Sequence, residues 1–290
     1  MIEDSGNAKL REATVAGIFY PEEPAELEAR IASLLDRARP STRGAYAIVS
    51  PHAGLEYSGD LAALAWKSAS ARAVKRVLVL APYHRAEESL VYLPEAEAFA
   101  TPLGMVRVDT ALVEELRDCG TLFSVNDIPH FEEHGVEVQL PFMRLLFPEA
   151  SLVPLVVGKP GQALIKSLAS ALGIVFGGLA EDSLVVLSAD LSSGADEELV
   201  RRQGSLLAEA VRRLDGEAAL EAGSLAEAPA CSGHCLASFF ASPLAAGLEG
   251  LILGRHDSSA ARQSGDERLV EYLAAAFVRP GGEDGPCTSS

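Results

Sequence analysis

The chain has 290 residues, 48% of them hydrophobic, enough for a full core, and carries a formal charge of -17 from 24 basic and 41 acidic residues. So acidic an average surface repels phosphate backbones and anionic lipid, which argues against nucleic acid and membrane surfaces as partners. The longest apolar runs, such as SLVPLVVG and SLVVLSA, fall far short of the roughly 18 residues that cross a bilayer, and the first twenty residues lack a basic stretch followed by an apolar one, so neither a membrane span nor a secretion signal is expected.

In chain order, PAELEARIASLLDRAR comes first and spaces Leu27, Ile31, Leu34 and Leu35 along one face of an amphipathic helix. Strand-like runs then alternate with helical ones: GAYAIVS with DLAALAWKSA, RVLVLAP with a long loop, SLVPLVV with QALIKSLASAL, and SLVVLSA with EELVRRQGSLLAEAVRRL. Strands that are apolar throughout and separated by helices predict one α/β domain with a central, largely parallel sheet flanked by helices. No internal repeat or linker divides residues 1–278, and RPGGEDGPCTSS, at 279–290, reads as a disordered tail with an idle Cys287. Cys119, Cys231, Cys235 and Cys287 show no framework spacing, which favours a reducing, cytoplasmic setting over a disulfide scaffold.

Ligands of open α/β sheets bind at the carboxyl ends of the strands. Here AIVS runs into Pro51-His52, RVLVLA into Pro82-Tyr83-His84, and SLVVLS into Asp190, followed by Ser192, Ser193 and Gly194. Singly, each has a plain reading as a hydrogen-bonded structural histidine or a turn-capping aspartate. Together, three strand ends deliver two histidines and a carboxylate to one edge of the sheet.

The stretch HFEEHGVEVQLPF adds Glu133, His134 and Glu137, whose spacing lets them share a helical face toward the site or simply open a helix in water. It contains no HExxH, so a zinc-protease motif is excluded. In PACSGHCLAS, Cys231, His234 and Cys235 crowd together. Either cysteine can be a small buried hydrophobe, and Cys231 can instead complete a three-ligand metal site with histidines from elsewhere.

Taken in order, VAGIFYP (15–21), SPHAGLEYSG (50–59), LAPYH (80–84), FATPLGMVRVD (99–109), EHGVEVQLPF (133–142), SADLSSG (188–194) and the segment around Cys231 resemble the Memo family, whose bacterial members are called AmmeMemoRadiSam system protein B. These motifs cover nearly the whole chain apart from the tail. The resemblance implies an α/β fold similar to the class III extradiol dioxygenases (LigB-like), which open catechol rings with non-haem iron. It implies metal ligation by His52, His84 and Cys231, with iron or copper as the cofactor and zinc as a further option. Asp190 and His134 are then the candidate catalytic side chains, Glu133 a candidate for orienting an imidazole, and Tyr57 or Tyr83 a donor to bound ligand.

Two positions depart from the family pattern. Ser193 stands where relatives carry a histidine that serves as acid and base, and a serine hydroxyl does not exchange a proton near neutrality. Arg85 stands where a second histidine often follows the first, a fixed cation able to pair with Asp190 or an anionic ligand. Two function classes follow: a metal-dependent, dioxygenase-like oxidoreductase, and a metal-binding or protein-interaction module without turnover. Expected partners are a small molecule or protein ligand, with a functional link to AMMECR1-like and radical-SAM proteins implied by the family name.

Overall fold

Four strands form the parallel centre of the sheet in the order Ala47–Ser50, Ser183–Ser188, Arg76–Pro82, Ser151–Val157. Their residues are buried almost without exception, which is why the sequence shows continuous apolar runs rather than alternation. Leu78, Val79, Leu80, Val186 and Leu187 are each exposed by 2% or less. Side chains of this kind contribute about 1.5–3 kcal/mol apiece on burial, so the strand interiors hold the fold and leave the strand ends free to be polar.

The computed structural model describes residues 9–178, 180–261 and 268–281; Cys287 and the expected tail beyond residue 281 lie outside them. The parallel centre is as expected, but both margins make the sheet a mixed one. Leu269–Val278 runs antiparallel to Ala47–Ser50 and carries Glu249–Asp257 and Ser192–Gly194, also antiparallel. At the other margin Val91–Leu93 pairs antiparallel with Ser151–Val157 and parallel with Phe123–Val125. The region read as one long loop after Pro82 also contains the helices Thr110–Arg117 and Asp127–Glu132, and two strands of a small sheet, Ala98–Phe99 and Val106–Arg107, completed by Leu10–Arg11.

Helices cover both faces. Pro24–Arg37, Leu55–Lys67 and Leu140–Leu146 contact one another on one side, while Gln162–Phe176, Glu197–Arg213, Gly216–Gly223 and Gly233–Phe240 form the layer on the other. The first helix buries Leu27, Ile31, Leu34 and Leu35, the face its spacing predicts. Proline opens it, where a missing N–H costs nothing, and Arg37 complements the negative end of its dipole. Among the described residues no helix is long and apolar enough to cross a membrane.

Candidate metal centre

The carboxyl ends of all four central strands open onto a cavity of about 740 Å³. His52, His84, Asp190 and Cys231 line it, together with Ser193 and His234. The three groups that the sequence offered from separate strand ends thus share one space, as parallel pairing of Ser50 with Ser188 and Leu80 with Leu187 requires.

His52 is 2% exposed and its orientation is fixed by an ordered chain of donors. Trp66 can only donate, and its Nε1–H goes to Gln139 Oε1 at 2.9 Å, so the amide nitrogen of Gln139 faces the site. That nitrogen donates to Pro51 O and to Ser188 Oγ, each at 3.0 Å. The Ser188 hydroxyl spends its proton on the Gly135 carbonyl at 2.6 Å, so toward His52 Nδ1, at 3.1 Å, it can only accept. Nδ1 therefore carries the hydrogen, and Nε2 points toward Cys231 Sγ at 3.4 Å. Gly135 has to be glycine for this approach, since a Cβ there would sit 2.9 Å from Ala81 Cβ.

For His84 the same task falls to Glu133. One carboxylate oxygen, Oε2, accepts from both the backbone N–H and Nδ1 of His84 at 2.9 Å, leaving Nε2 for the cavity. The other oxygen, Oε1, lies 2.9 Å from His134 Nδ1 and accepts the His134 backbone N–H. The imidazoles of His84 and His134 stack at 5.3 Å, and the His52 ring stands edge-on to both at the same centroid distance. Glu133, 3% exposed, is thus the hub of the histidine cluster.

Cys231 arrives just ahead of the helix Gly233–Phe240, whose start packs so closely on the preceding helix that a Cβ at Gly233 would come within 2.6 Å of Ala219 O. One turn on, Cys235 is fully buried in the core, and burial pushes its thiol well above the ordinary value, so the choice the sequence left open falls on Cys231 as the cavity thiol. His234, on the same turn, lines the cavity with Nε2 3.3 Å from Val157 O.

The ligand atoms of His52, His84 and Cys231 all lie within 4.8 Å of one another, and both nitrogens that face the sulfur are the ones left free of other bonds. Two neutral imidazoles with fixed outer hydrogen bonds and a thiolate are a donor set for iron, copper or zinc, so the residues fit the metal that the family resemblance implies. A second grouping, His84, Glu133 and His134, also meets the distance test, but there the carboxylate is spent on the two imidazoles.

Electrostatics agree with this arrangement. Burial alone would raise the Cys231 thiol, but the facing imidazoles of His52 and His84 outweigh it and bring the thiol down to about 6. Burial depresses His52, yet Asp190 and the Cys231 sulfur carry it up to about 9; His84, with Cys231 and Glu133 against the same penalty, rises to about 10. Burial penalises the Glu133 carboxylate, but its two imidazole partners hold it well below the usual range. These shifts all run in the direction of a thiolate facing protonated imidazoles, charges that a bound cation would replace.

A direct consequence is selective alkylation. Metal-free protein at neutral pH is expected to react with iodoacetamide at Cys231 before Cys119, whose thiol burial and neighbouring carboxylates raise, with a midpoint near the value of about 6 given by its environment. A Cys231 rate that climbs only around the ordinary thiol range, about 8 to 9, would overturn the thiolate assignment.

The other side chains singled out in the sequence take different places. Asp190 meets His52 twice: Oδ1 takes its backbone N–H at 3.0 Å, and Oδ2 lies 3.8 Å from Nε2. Glu133 and His134 sit in the break between the helix Asp127–Glu132 and the 3-10 turn Glu137–Gln139, so no helical face carries Glu137 to the cavity; it is buried and paired with Arg11. Arg85 is exposed and makes no ion pair with Asp190 among the described residues. Tyr83 lines the cavity and donates its hydroxyl to Glu132, whereas Tyr57 lines a separate apolar cleft. Ser193 lines the cavity and accepts from Arg268 at 3.3 Å. Sequence reasoning missed Ser188 and Gln139, small or uncharged groups whose role exists only through the chain of bonds that ends on His52.

Known proteins resemble this chain in sequence. The profile of the Memo-like protein family matches residues 11–276. A MEMO1 family protein of Thermotoga maritima is 33% identical over 221 residues, covering 71% of this chain and 78% of the relative, and one of Aquifex aeolicus is 32% identical over 211 residues, covering 72% and 77%. Protein MEMO1 of Xenopus laevis is 32% identical over 192 residues, covering 64% and 63%. With the profile reaching from Arg11 on the first strand to Ala276 on the last, the chain belongs to the Memo-like protein family.

Proposed function

We propose that the protein is a metal-dependent redox protein whose ion is held by Nε2 of His52, Nε2 of His84 and Sγ of Cys231. The observation that carries this reading is the convergence of these three atoms with both ring Nδ1 atoms tied elsewhere. Iron or copper bound there would supply one-electron chemistry and open positions for oxygen or substrate, and a thiolate in place of a carboxylate softens the set toward copper(I), iron or zinc. The chain's own residues do the rest. Glu133 and Ser188 hold the imidazoles in orientation. His134, fixed through Nδ1 and 25% exposed at its side chain, and Asp190 on the cavity wall are the groups placed to hold or pass a proton.

Ser193 favours a second reading, a metal-binding or protein-interaction module that has lost dioxygenase turnover, because its hydroxyl stands at the family's histidine position and is bonded to Arg268. Oxygen uptake with a catechol panel decides between them. Protein loaded with Fe(II) is expected to consume oxygen faster than Cys231→Ala, and Ser193→His is expected to raise the rate further. Equal background uptake in all three overturns the redox reading and leaves the module. A cytoplasmic location is supported by the free thiols of Cys119, Cys231 and Cys235, and a link to AMMECR1-like and radical-SAM proteins by the family resemblance alone.

A further inference from the structure

The motif VAGIFYP at residues 15–21 reaches none of the proposed metal ligands, yet it belongs to a strap that wraps the turn carrying Glu133. Arg11, fully buried, uses all five guanidinium hydrogens. Nε donates to His130 O at 2.8 Å, Nη1 to Glu12 O at 2.9 Å and to the Glu137 carboxylate, and Nη2 to Thr14 Oγ1 at 3.1 Å and Glu133 O at 3.2 Å. Glu137, also fully buried, accepts in addition from the backbone N–H groups of Thr14 and Val15, each at 3.0 Å, from Thr14 Oγ1 at 3.0 Å and from the Tyr20 hydroxyl at 2.5 Å. The turn 130–137 is thus gripped at both ends from one N-terminal segment.

That segment also touches the histidine cluster. The Phe19 ring packs on the His134 ring with centroids 4.6 Å apart, and the Phe19 carbonyl accepts the N–H of Leu55, at the start of the helix that follows His52. We propose that the buried Arg11–Glu137 pair is the positioning device of the centre: it locks residues 11–20 onto the 130–137 turn and so fixes the backbone of Glu133, the carboxylate that orients His84 and His134. Arginine is required because only its planar fork reaches the carbonyls of His130 and Glu133 together; lysine keeps the charge and loses the fork. The orientation of the rings stands without any metal, and only its consequence for binding rests on the proposed function.

The test uses the whole chain and two readouts. By NMR of metal-free protein, exchange of the His84 and His134 Nδ1 protons with solvent is expected to quicken about tenfold in Arg11→Lys and Glu137→Gln, and Co²⁺ affinity to fall by about the same factor, the range typical of groups that orient metal ligands. Tyr20→Phe removes one donor to Glu137 without changing shape, and a smaller change in the same direction is expected should the stronger variants fail to fold. Ile31→Val, in the core of the first helix, is the control for lost stability, and neither readout should move. Ring protons that exchange at the wild-type rate in the strap variants, or equally fast in Ile31→Val at matched melting temperature, overturn the proposal. If wild-type protein binds no Co²⁺, the metal reading fails while the ring protons still decide the strap.

Discussion

Alanine at Cys231, His52 or His84 is expected to cost about two to three orders of magnitude in affinity for Zn²⁺ or Fe²⁺, since structural sites of this kind draw roughly 10–16 kcal/mol from about four ligands. Cys231→Ala removes the one anionic ligand and leaves His52 and His84 facing an apolar gap, so it should be the most damaging of the three. Ser188→Ala should cost less, about tenfold, because it spares every ligand and frees only the tautomer of His52. Cys235→Ala is the decisive control. Its thiol is buried and raised, and its loss should leave affinity unchanged. Competition against a chromophoric chelator measures the five variants beside the wild type; metal binding that survives Cys231→Ala but fails in Cys235→Ala would reverse the assignment.

How far the sequence carried the argument depends on the range of the interactions involved. The parallel centre was legible because strands buried on both faces leave unbroken apolar runs, and His52, His84 and Asp190 were legible because a parallel sheet collects its strand ends at one edge. The strand Leu269–Val278 was not. LVEYLAAAFV is rich in alanine, which has no strand preference; the small side chains suit a strand packed between the helices Leu55–Lys67 and Glu197–Arg213, a fact of tertiary contact with no local trace.

The place of Glu137 was hidden for a similar reason. Positions 133, 134 and 137 share a face only if the chain between them is helical, and the helix ends at Glu132, with Glu133 extended and a turn at Gly135 following. Glu137 then turns toward Arg11, more than a hundred residues away, and no spacing rule links the two. The roles of Ser188 and Gln139 were hidden for the same reason: each is one bond in a relay from Trp66 to His52 that only the folded chain assembles.

Metal affinity should depend steeply on pH, and the window follows from the environments of the three ligands. Binding requires Cys231 as thiolate and both imidazoles neutral. Without metal the thiol loses its proton near 6, whereas His52 and His84 keep theirs until about 9 and about 10. Between pH 6 and 9 each ion therefore displaces two imidazolium protons, and apparent affinity should rise about a hundredfold per pH unit. Below 6 the thiol adds a third proton and the fall steepens; above 10 no proton remains to be displaced and the curve flattens. Ordinary histidines would complete their part of this rise by about pH 7.5 and leave only the roughly tenfold-per-unit slope of an ordinary thiol, so a slope of about a hundredfold that persists to pH 9 is the mark of the thiolate and Asp190 acting on the rings. Calorimetry at pH 7.5 in buffers of different ionisation heat should find about two protons released per ion. Release of none would mean that the imidazoles are already neutral, and the thiolate–imidazolium description of the metal-free centre would be wrong.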